Sequence, residues 1–171
     1  MSQWFMITLV GKDQIGIVAN ITSALYEYNC NLGEASMLRL GGNFTIMLMV
    51  SYDGTSKDLH KFLQPTADNL QLKLHIDIID GQLHYHQTPN LRIIVYGADR
   101  IGIVAQVTTA LAKGGFNILE LESDVGGTDE KPFYIINIEG IVGIEPIKTI
   151  LQELMANGLE VKLEPIDTVM M

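Results

Sequence analysis

Residues 11–16 of this 171-residue chain read Gly-Lys-Asp-Gln-Ile-Gly, a turn whose residue types suit small-ligand binding. The turn stands between an apolar strand pattern and a helical pattern. A helix N-terminus offers free backbone N–H groups and the positive end of a dipole, and both favour an anion such as a ligand carboxylate. Asp13 could cap the helix or face a ligand ammonium group, and the turn could equally be purely structural.

The turn belongs to an internal repeat. Residues 97–102 read Gly-Ala-Asp-Arg-Ile-Gly, and seven of nine positions are identical between the stretches that begin at 11 and 97. The offset of 86 residues is the length of one small domain and is too long for a solenoid unit. We therefore predict a first domain over 1–81, a linker over 82–89 and a second domain over 90–171. Identities continue beyond the turn: Thr22 and Thr108, Ala24 and Ala110, Leu25 and Leu111, Asn31 and Asn117, Glu34 and Glu120.

Periodicity predicts the same order of elements in both copies. Apolar alternation indicates a strand before each turn, and helical spacing predicts first helices over about 14–28 and 100–114. Two strands follow, then a second helix over 56–68 or 144–156, then a last alternating strand. This order predicts an α+β chain of two tandem ferredoxin-like βαββαβ domains, with both helices on one face of each antiparallel sheet.

The hairpins are expected to differ between the copies. Gly-Gly-Asn at 41–43 is a short hairpin signal, whereas the second copy has a longer turn through 126–129. Aligning Phe44 with Phe133 gives the second copy three extra residues in this hairpin.

The first helix of each copy carries more apolar residues than one buried face requires. Counted from Ile15 at 100° per residue, the apolar sector spans about 220°, against roughly 100° for a surface helix. We expect this helix to pack on its own sheet and on a second surface, either the other repeat or another subunit. The alternative is a helix with surplus exposed apolar residues.

Composition and charge exclude several functions. The chain has 11 Lys and Arg against 20 Asp and Glu, a net charge of −9, which argues against nucleic acid or an anionic membrane as partners. The single cysteine, Cys30, aligns with Phe116 and indicates a small apolar filler. His84 and His86 have no accompanying thiols or carboxylates and indicate a solvated linker. No signal or membrane-spanning segment is visible, so we expect a cytoplasmic protein.

No catalytic pattern fits the turn. Ile17 stands where a phosphate-binding P-loop needs Lys, and the acidic residues form no recognisable general acid and base pair. A ferredoxin-like acylphosphatase would need an Arg that the first turn lacks. We expect no enzymatic activity, no cofactor and no metal. Arg100, in the second turn, could serve a ligand carboxylate or lie in solvent.

The pattern Gly-x-Asp-x-x-Gly-Ile-Val-Ala, with Asn-Leu at 31–32 or Asn-Ile at 117–118 opening the second strand, resembles the ACT domain. The resemblance covers about 3–80 and 90–167. Two tandem copies with little else are similar to the glycine cleavage system transcriptional repressor group. Carried over residue by residue, the resemblance implies a ligand site in each copy, made of Gly11, Asp13, Gln14, Ile15, Gly16 and Asn31 in the first and of Gly97, Asp99, Arg100, Ile101, Gly102 and Asn117 in the second.

The resemblance also implies a function. ACT domains are regulatory modules that pair side by side and often bind an amino acid, so we expect a small amino acid, glycine among the candidates, and a homo-oligomer. The repressor group acts on a DNA-binding activator protein and not on DNA itself, which the negative charge independently favours. The leading hypothesis is a non-enzymatic, amino-acid-responsive regulator of transcription. The alternatives are an ACT-type regulatory subunit of an amino-acid metabolic enzyme and a dimerisation scaffold with degenerate pockets.

Overall fold

The fold comes from a computed structural model that describes residues 2–80, 87–128, 131–143, 152, 154–156 and 158–166. The chain divides into two units, Met1–Tyr85 and His86–Met171. The division falls inside the stretch predicted as a linker. His84 and His86 lie outside the described residues.

The first unit has six elements around one antiparallel sheet. They are β1 (Gln3–Lys12), α1 (Ile17–Glu27), β2 (Asn31–Leu40), β3 (Asn43–Tyr52), α2 (Ser56–Asn69) and β4 (Leu72–Ile79). The strand order is β2-β3-β1-β4, with β1 in the centre between β3 and β4. Alternation in β1 determines which face is covered, because Phe5, Ile7 and Leu9 are fully buried.

The second unit repeats this plan. Its elements are β5 (Leu91–Ala98), α3 (Ile103–Lys113), β6 (Asn117–Thr128), β7 (Lys131–Ile141) and β8 (Glu160–Pro165), and its strand order is β6-β7-β5-β8. Most of the helix predicted over 144–156 lies outside the described residues. Residues 152 and 154–156 are helical, and Leu154 is fully buried against the sheet. The prediction of two tandem ferredoxin-like βαββαβ domains is confirmed.

The first helix of each unit begins later than the periodicity predicts. α1 and α3 begin directly after Gly16 and Gly102, whose φ values of 90° and 88° are left-handed. Ile15 and Ile101 therefore precede the helices, and both side chains are fully exposed. The 220° apolar sector of α1 is bounded by Ala24 and Ala19 and does not depend on Ile15, so the second packing surface expected for this helix stays a prediction. The buried residues lie within roughly 100° of each helix circumference: Ile17, Ile21, Ala24 and Leu25 in α1, and Ile103, Val107, Ala110 and Leu111 in α3.

The hairpin of the second unit has two more cross-strand residue pairs than the hairpin of the first. In the first unit a two-residue turn at Gly41 and Gly42 joins β2 to β3, as predicted. In the second unit the strands continue through the pairs formed by residues 127 and 132 and by 128 and 131. Residues 126–128, predicted as turn, are therefore strand.

The register also corrects the alignment of the two hairpins. Phe44 lies opposite Gly11, and the residue opposite Gly97 is Tyr134. The second hairpin thus has four extra residues, not three. The difference is visible in burial, because Phe44 is 2% exposed and Phe133 is 42% exposed. None of the described helices is long and apolar enough to cross a membrane.

Candidate functional site

The first glycine turn, residues 11–16, is held by an ion pair and not by a helix cap. No side chain caps α1 at Gly16; the amide of Asn20 instead donates to the Gly16 carbonyl at 2.8 Å. The carboxylate of Asp13 lies 2.7 Å from Nε of Arg39, a residue near the end of β2. Of the roles considered for Asp13, that of helix cap is therefore excluded, and its charge is balanced within the first unit.

Two further contacts fasten this turn to the fold. The backbone N–H of Asp13 donates to the carbonyl of Gly42 in the β2–β3 hairpin at 3.0 Å. The side-chain amide of Gln14 donates to the carbonyl of Leu70, just after α2, at 2.5 Å. Ile15 makes no comparable contact and is fully exposed. The side chains of Asp13 and Gln14 are thus both engaged in holding the turn.

The second glycine turn, residues 97–102, has fewer side-chain contacts to the rest of its unit among the residues described. No side chain caps α3 at Gly102, so Asp99 is not a helix cap either. The exposed carboxylate of Asp99 has no ion-pair or hydrogen-bond partner within the described part of the chain. Arg100 reaches forward and donates through Nη2 to the side-chain carbonyl of Gln106 at 2.5 Å. Ile101 is fully exposed.

The glycines that open the two turns are required for close packing. A Cβ at Gly11 would lie 2.9 Å from the backbone carbonyl of Gln71 and 2.8 Å from Leu72. A Cβ at Gly97 would meet only side-chain methyl groups, those of Leu159 at 2.7 Å and Ile103 at 2.9 Å. In both units the strand end therefore approaches its neighbours too closely for a larger residue.

Within each unit, the structure does not bring the strand-opening asparagine to the turn. β3 places Asn31 level with Trp4, at the start of β1, whereas the turn follows Lys12 at its end. Eight residues of strand separate the two levels, about 26 Å. Asn117 occupies the corresponding end of the second sheet, where its amide donates to the side chain of Gln87 at 2.9 Å.

A hollow of about 460 Å³ adjoins the second turn, where β5 ends. We call it the β5 hollow, and it is lined by Tyr96, Gly97, Ala98, Phe133, Gly158 and Glu160. Of these residues, sequence reasoning selected only Gly97. The sequence pattern could have identified Tyr96 as a surface residue of this hollow, because it alternates with the buried positions of β5 and so faces outward. The first unit has a smaller hollow of about 190 Å³ at the same end of its sheet, but over β1, β2 and β3, and it is lined by Val10, Leu38, Leu40, Asn43, Phe44 and Thr45.

The outer face of the second sheet carries a charge network. Arg92 lies 2.6 Å from Glu139 and 3.5 Å from Glu164, and Lys162 lies 2.6 Å from Glu164. The hydrogen bond to Glu139 raises the pKa of Arg92 above its usual value, and the bond from Lys162 lowers the pKa of Glu164. Each of these four charged groups has a partner of opposite sign. The network therefore has a structural role and does not indicate a catalytic site.

The part of the chain that the structure describes offers no basis for metal or thiol chemistry. The described residues contain no group of three His, Cys, Asp or Glu side chains that could hold a metal ion. Cys30 packs against the first core, and burial raises the pKa of its thiol to about 11. A thiol with this pKa is protonated and weakly nucleophilic at neutral pH, which agrees with the interpretation of Cys30 as an apolar filler.

Comparison with known proteins gives the family. The ACT domain model matches residues 3–77. A UPF0237 protein of Listeria monocytogenes is 34% identical over 74 residues, which cover 42% of this chain and 83% of the relative. The chain belongs to the ACT domain family. A UPF0237 protein of Lactococcus lactis is 44% identical over 74 residues, again 42% of this chain and 83% of the relative.

Two solved structures share the fold of this chain over both units. A protein of unknown function from Galdieria sulphuraria gives a TM-score of 0.74 at 23% identity, covering 98% of this chain and all of that one. A candidate glycine cleavage system transcriptional repressor gives 0.71 at 20% identity, covering 98% of this chain and 99% of that one. At these identities the likeness concerns the fold, and both proteins share the tandem arrangement.

Proposed function

We propose that this ACT protein is a non-enzymatic regulator that binds a small amino acid at its second glycine turn and acts on a protein partner. The observation that carries the proposal is the contrast between the two aspartates. Asp13 is neutralised by Arg39 at 2.7 Å, whereas Asp99 is exposed, with no partner among the residues described. A carboxylate without an internal partner is available to a ligand ammonium group.

The backbone of the same turn supplies the complementary charge. α3 begins at Gly102 without a side-chain cap, so N–H groups of its first turn remain available to a ligand carboxylate. The side-chain amide of Gln106 already orients Arg100 along the helix. A small zwitterion therefore finds both charges within one short loop, and the open β5 hollow beside it leaves space for a ligand to approach.

Calorimetry on the whole protein tests the proposal. We expect glycine or another small amino acid to bind with one site per chain. Asp99→Ala should weaken that binding by roughly ten- to a hundredfold, the effect of losing a contact to a charged group. The matched variant Asp13→Ala should bind like the wild type. No heat with any of the twenty amino acids, or equal binding by both variants, would contradict the assignment.

The regulatory partner is tested separately. We infer that the protein controls transcription through a DNA-binding activator, because its net charge of −9 is unsuited to neutralising phosphates. Affinity capture with and without the bound amino acid should recover a DNA-binding protein. Recovery of an amino-acid metabolic enzyme would instead favour a regulatory subunit. A steeply salt-dependent mobility shift of duplex DNA by the pure protein would overturn the indirect mechanism.

A further inference from the structure

An aromatic cluster lies at the end of the first unit opposite the glycine turn. Tyr28, after α1, stacks on Phe62 of α2 with ring centroids 3.9 Å apart and planes within 4°. Tyr52, at the end of β3, meets the same Phe62 ring edge-on at 5.7 Å. Together with Asp58 and Lys61 these rings line a hollow of about 330 Å³, which we call the tyrosine hollow. That volume falls in the range of small-molecule sites.

The fold itself does not require this cluster. The position equivalent to Tyr28 in the second unit is Gly114, because each residue directly follows the first helix of its unit. By strand register, the position equivalent to Tyr52 is Val142. The second unit forms the same sheet without either ring. The aromatic residues of the first unit are therefore additions to the shared plan, which is the pattern expected of a binding surface.

Gly54 indicates that the position of Tyr52 is built into the loop. A Cβ at residue 54 would lie 2.2 Å from the Tyr52 ring and 2.9 Å from its hydroxyl oxygen. The glycine thus leaves room for Tyr52 to lie over the β3–α2 loop. Any larger residue there would displace the Tyr52 ring from this position.

The polar groups around the hollow have both signs. Asp58 and Lys61 stand three residues apart on α2 and so share one face of that helix. Thr55 binds one carboxylate oxygen of Asp58 in a capping box, which lowers the pKa of Asp58 and keeps it ionised. Burial, followed by nearby acidic groups, raises the pKa of Tyr52, so its hydroxyl remains a hydrogen-bond donor.

We propose that the tyrosine hollow binds a free aromatic α-amino acid, as a ligand site separate from the glycine turns. The ligand ring would pack against the exposed faces of the aromatic cluster, where aromatic pairs gain more than burial alone provides. Its carboxylate would meet Lys61 and the Tyr52 hydroxyl, and its ammonium would meet the second oxygen of Asp58. An aliphatic amino acid or glycine would lose the ring contact and bind more weakly.

Calorimetry with L-phenylalanine on the full chain tests the site. We expect binding that Lys61→Gln weakens by about ten- to a hundredfold, because a charge-assisted hydrogen bond is lost. Lys73→Gln removes the same charge from an exposed position of β4, opposite Val10 at the glycine-turn end of the sheet, and should leave the affinity unchanged. Gly54→Ala should also weaken binding by displacing Tyr52, while Gly42→Ala, which meets nothing within 4 Å, should not.

Three further results decide the outcome. N-acetyl-L-phenylalanine amide lacks both charges and should not bind; equal binding by this compound would overturn the site as an amino-acid site. Asp99→Ala should leave phenylalanine binding intact, so failure of the glycine-turn proposal and failure of this one are distinguishable. Absence of heat with phenylalanine and tyrosine, at concentrations that saturate a millimolar dissociation constant, would also overturn the proposal.

Discussion

The two glycine turns share their key residues yet are held in different ways. In the first unit Asp13 pairs with Arg39 and Gln14 binds the carbonyl of Leu70, so the turn is joined to β2 and α2. In the second unit Asp99 is exposed, and Arg100 donates to Gln106 of the helix that follows it. Arg39 is paired with Phe44 on the neighbouring strand, and the equivalent residue of the second unit, paired with Tyr134, is Val125. The second unit therefore has no cation at the position of Arg39.

The contrast shows that a repeated motif need not have a repeated role. The turn residues were retained in both copies, whereas the residues they contact lie far away in sequence and have diverged. One copy has internal partners for its polar groups and is suited to stability. The other leaves a carboxylate exposed beside the β5 hollow, and this is the turn at which we propose that a ligand binds.

Replacing the glycine that opens each turn should give the largest effect. Gly11→Ala should lower the free energy of unfolding by about 1–3 kcal/mol, because the new methyl group meets the backbone carbonyl of Gln71. Gly97→Ala should cost less, since the side chains of Leu159 and Ile103 can move. Urea denaturation followed by circular dichroism measures both, and equal losses would contradict the contrast.

Truncating the side chain at residue 14 or 100, where the two turns differ in sequence, should have an intermediate effect on stability. Gln14→Ala should cost about 0.5–1.5 kcal/mol of unfolding free energy, because the Leu70 carbonyl loses its donor. Arg100→Ala should change stability by less than about 0.5 kcal/mol, because the Arg100 side chain is exposed and bonds only to the half-buried Gln106 among the residues described. A larger loss from Arg100→Ala in the same denaturation experiment would show that the second turn is the tighter one.

Freeing Asp13 should make the first turn resemble the second. Arg39→Ala removes a largely exposed ion pair, so its cost to stability should be about 0.2–1 kcal/mol and should diminish at high salt. If an unpaired aspartate is what a ligand requires, amino-acid binding should rise from one site per chain to two. Calorimetric stoichiometry measures this. A single site in the variant would mean that the aspartate alone does not distinguish the turns.

The smallest expected effect concerns Cys30, whose place in the second unit is taken by Phe116. Because burial raises its pKa to about 11, the thiol should react with iodoacetamide at pH 8 far more slowly than an ordinary thiol of pKa about 8.5. The folded state favours the protonated thiol, so any stability from this group is lost as pH rises from 9.0 towards 11. Alkylation as rapid as that of a model thiol would contradict the assigned burial.

Some parts of the structure were predictable, and the misses have identifiable causes. Strict alternation identified β1, β4 and their counterparts, because one face of each strand must be buried. The helix starts were placed too early, because Ile15 and Ile101 fit the helical spacing although the chain turns at the following glycine. The separation of Asn31 from the turn follows from element order alone: α1 returns the chain to the far end of the sheet before β2 begins.

The sequence by itself determined the duplication, the element order, the two-residue hairpin of the first unit and the ACT family resemblance. Each of these depends on local spacing or on identity between the copies. Only the tertiary structure decided that Asp13 pairs with Arg39, that Asp99 stays exposed, and that Tyr28, Tyr52 and Phe62 meet. Those contacts join residues separated by 10 to 34 positions. Sheet register and helix packing determine such long-range contacts, and neither leaves a periodic signal in the sequence.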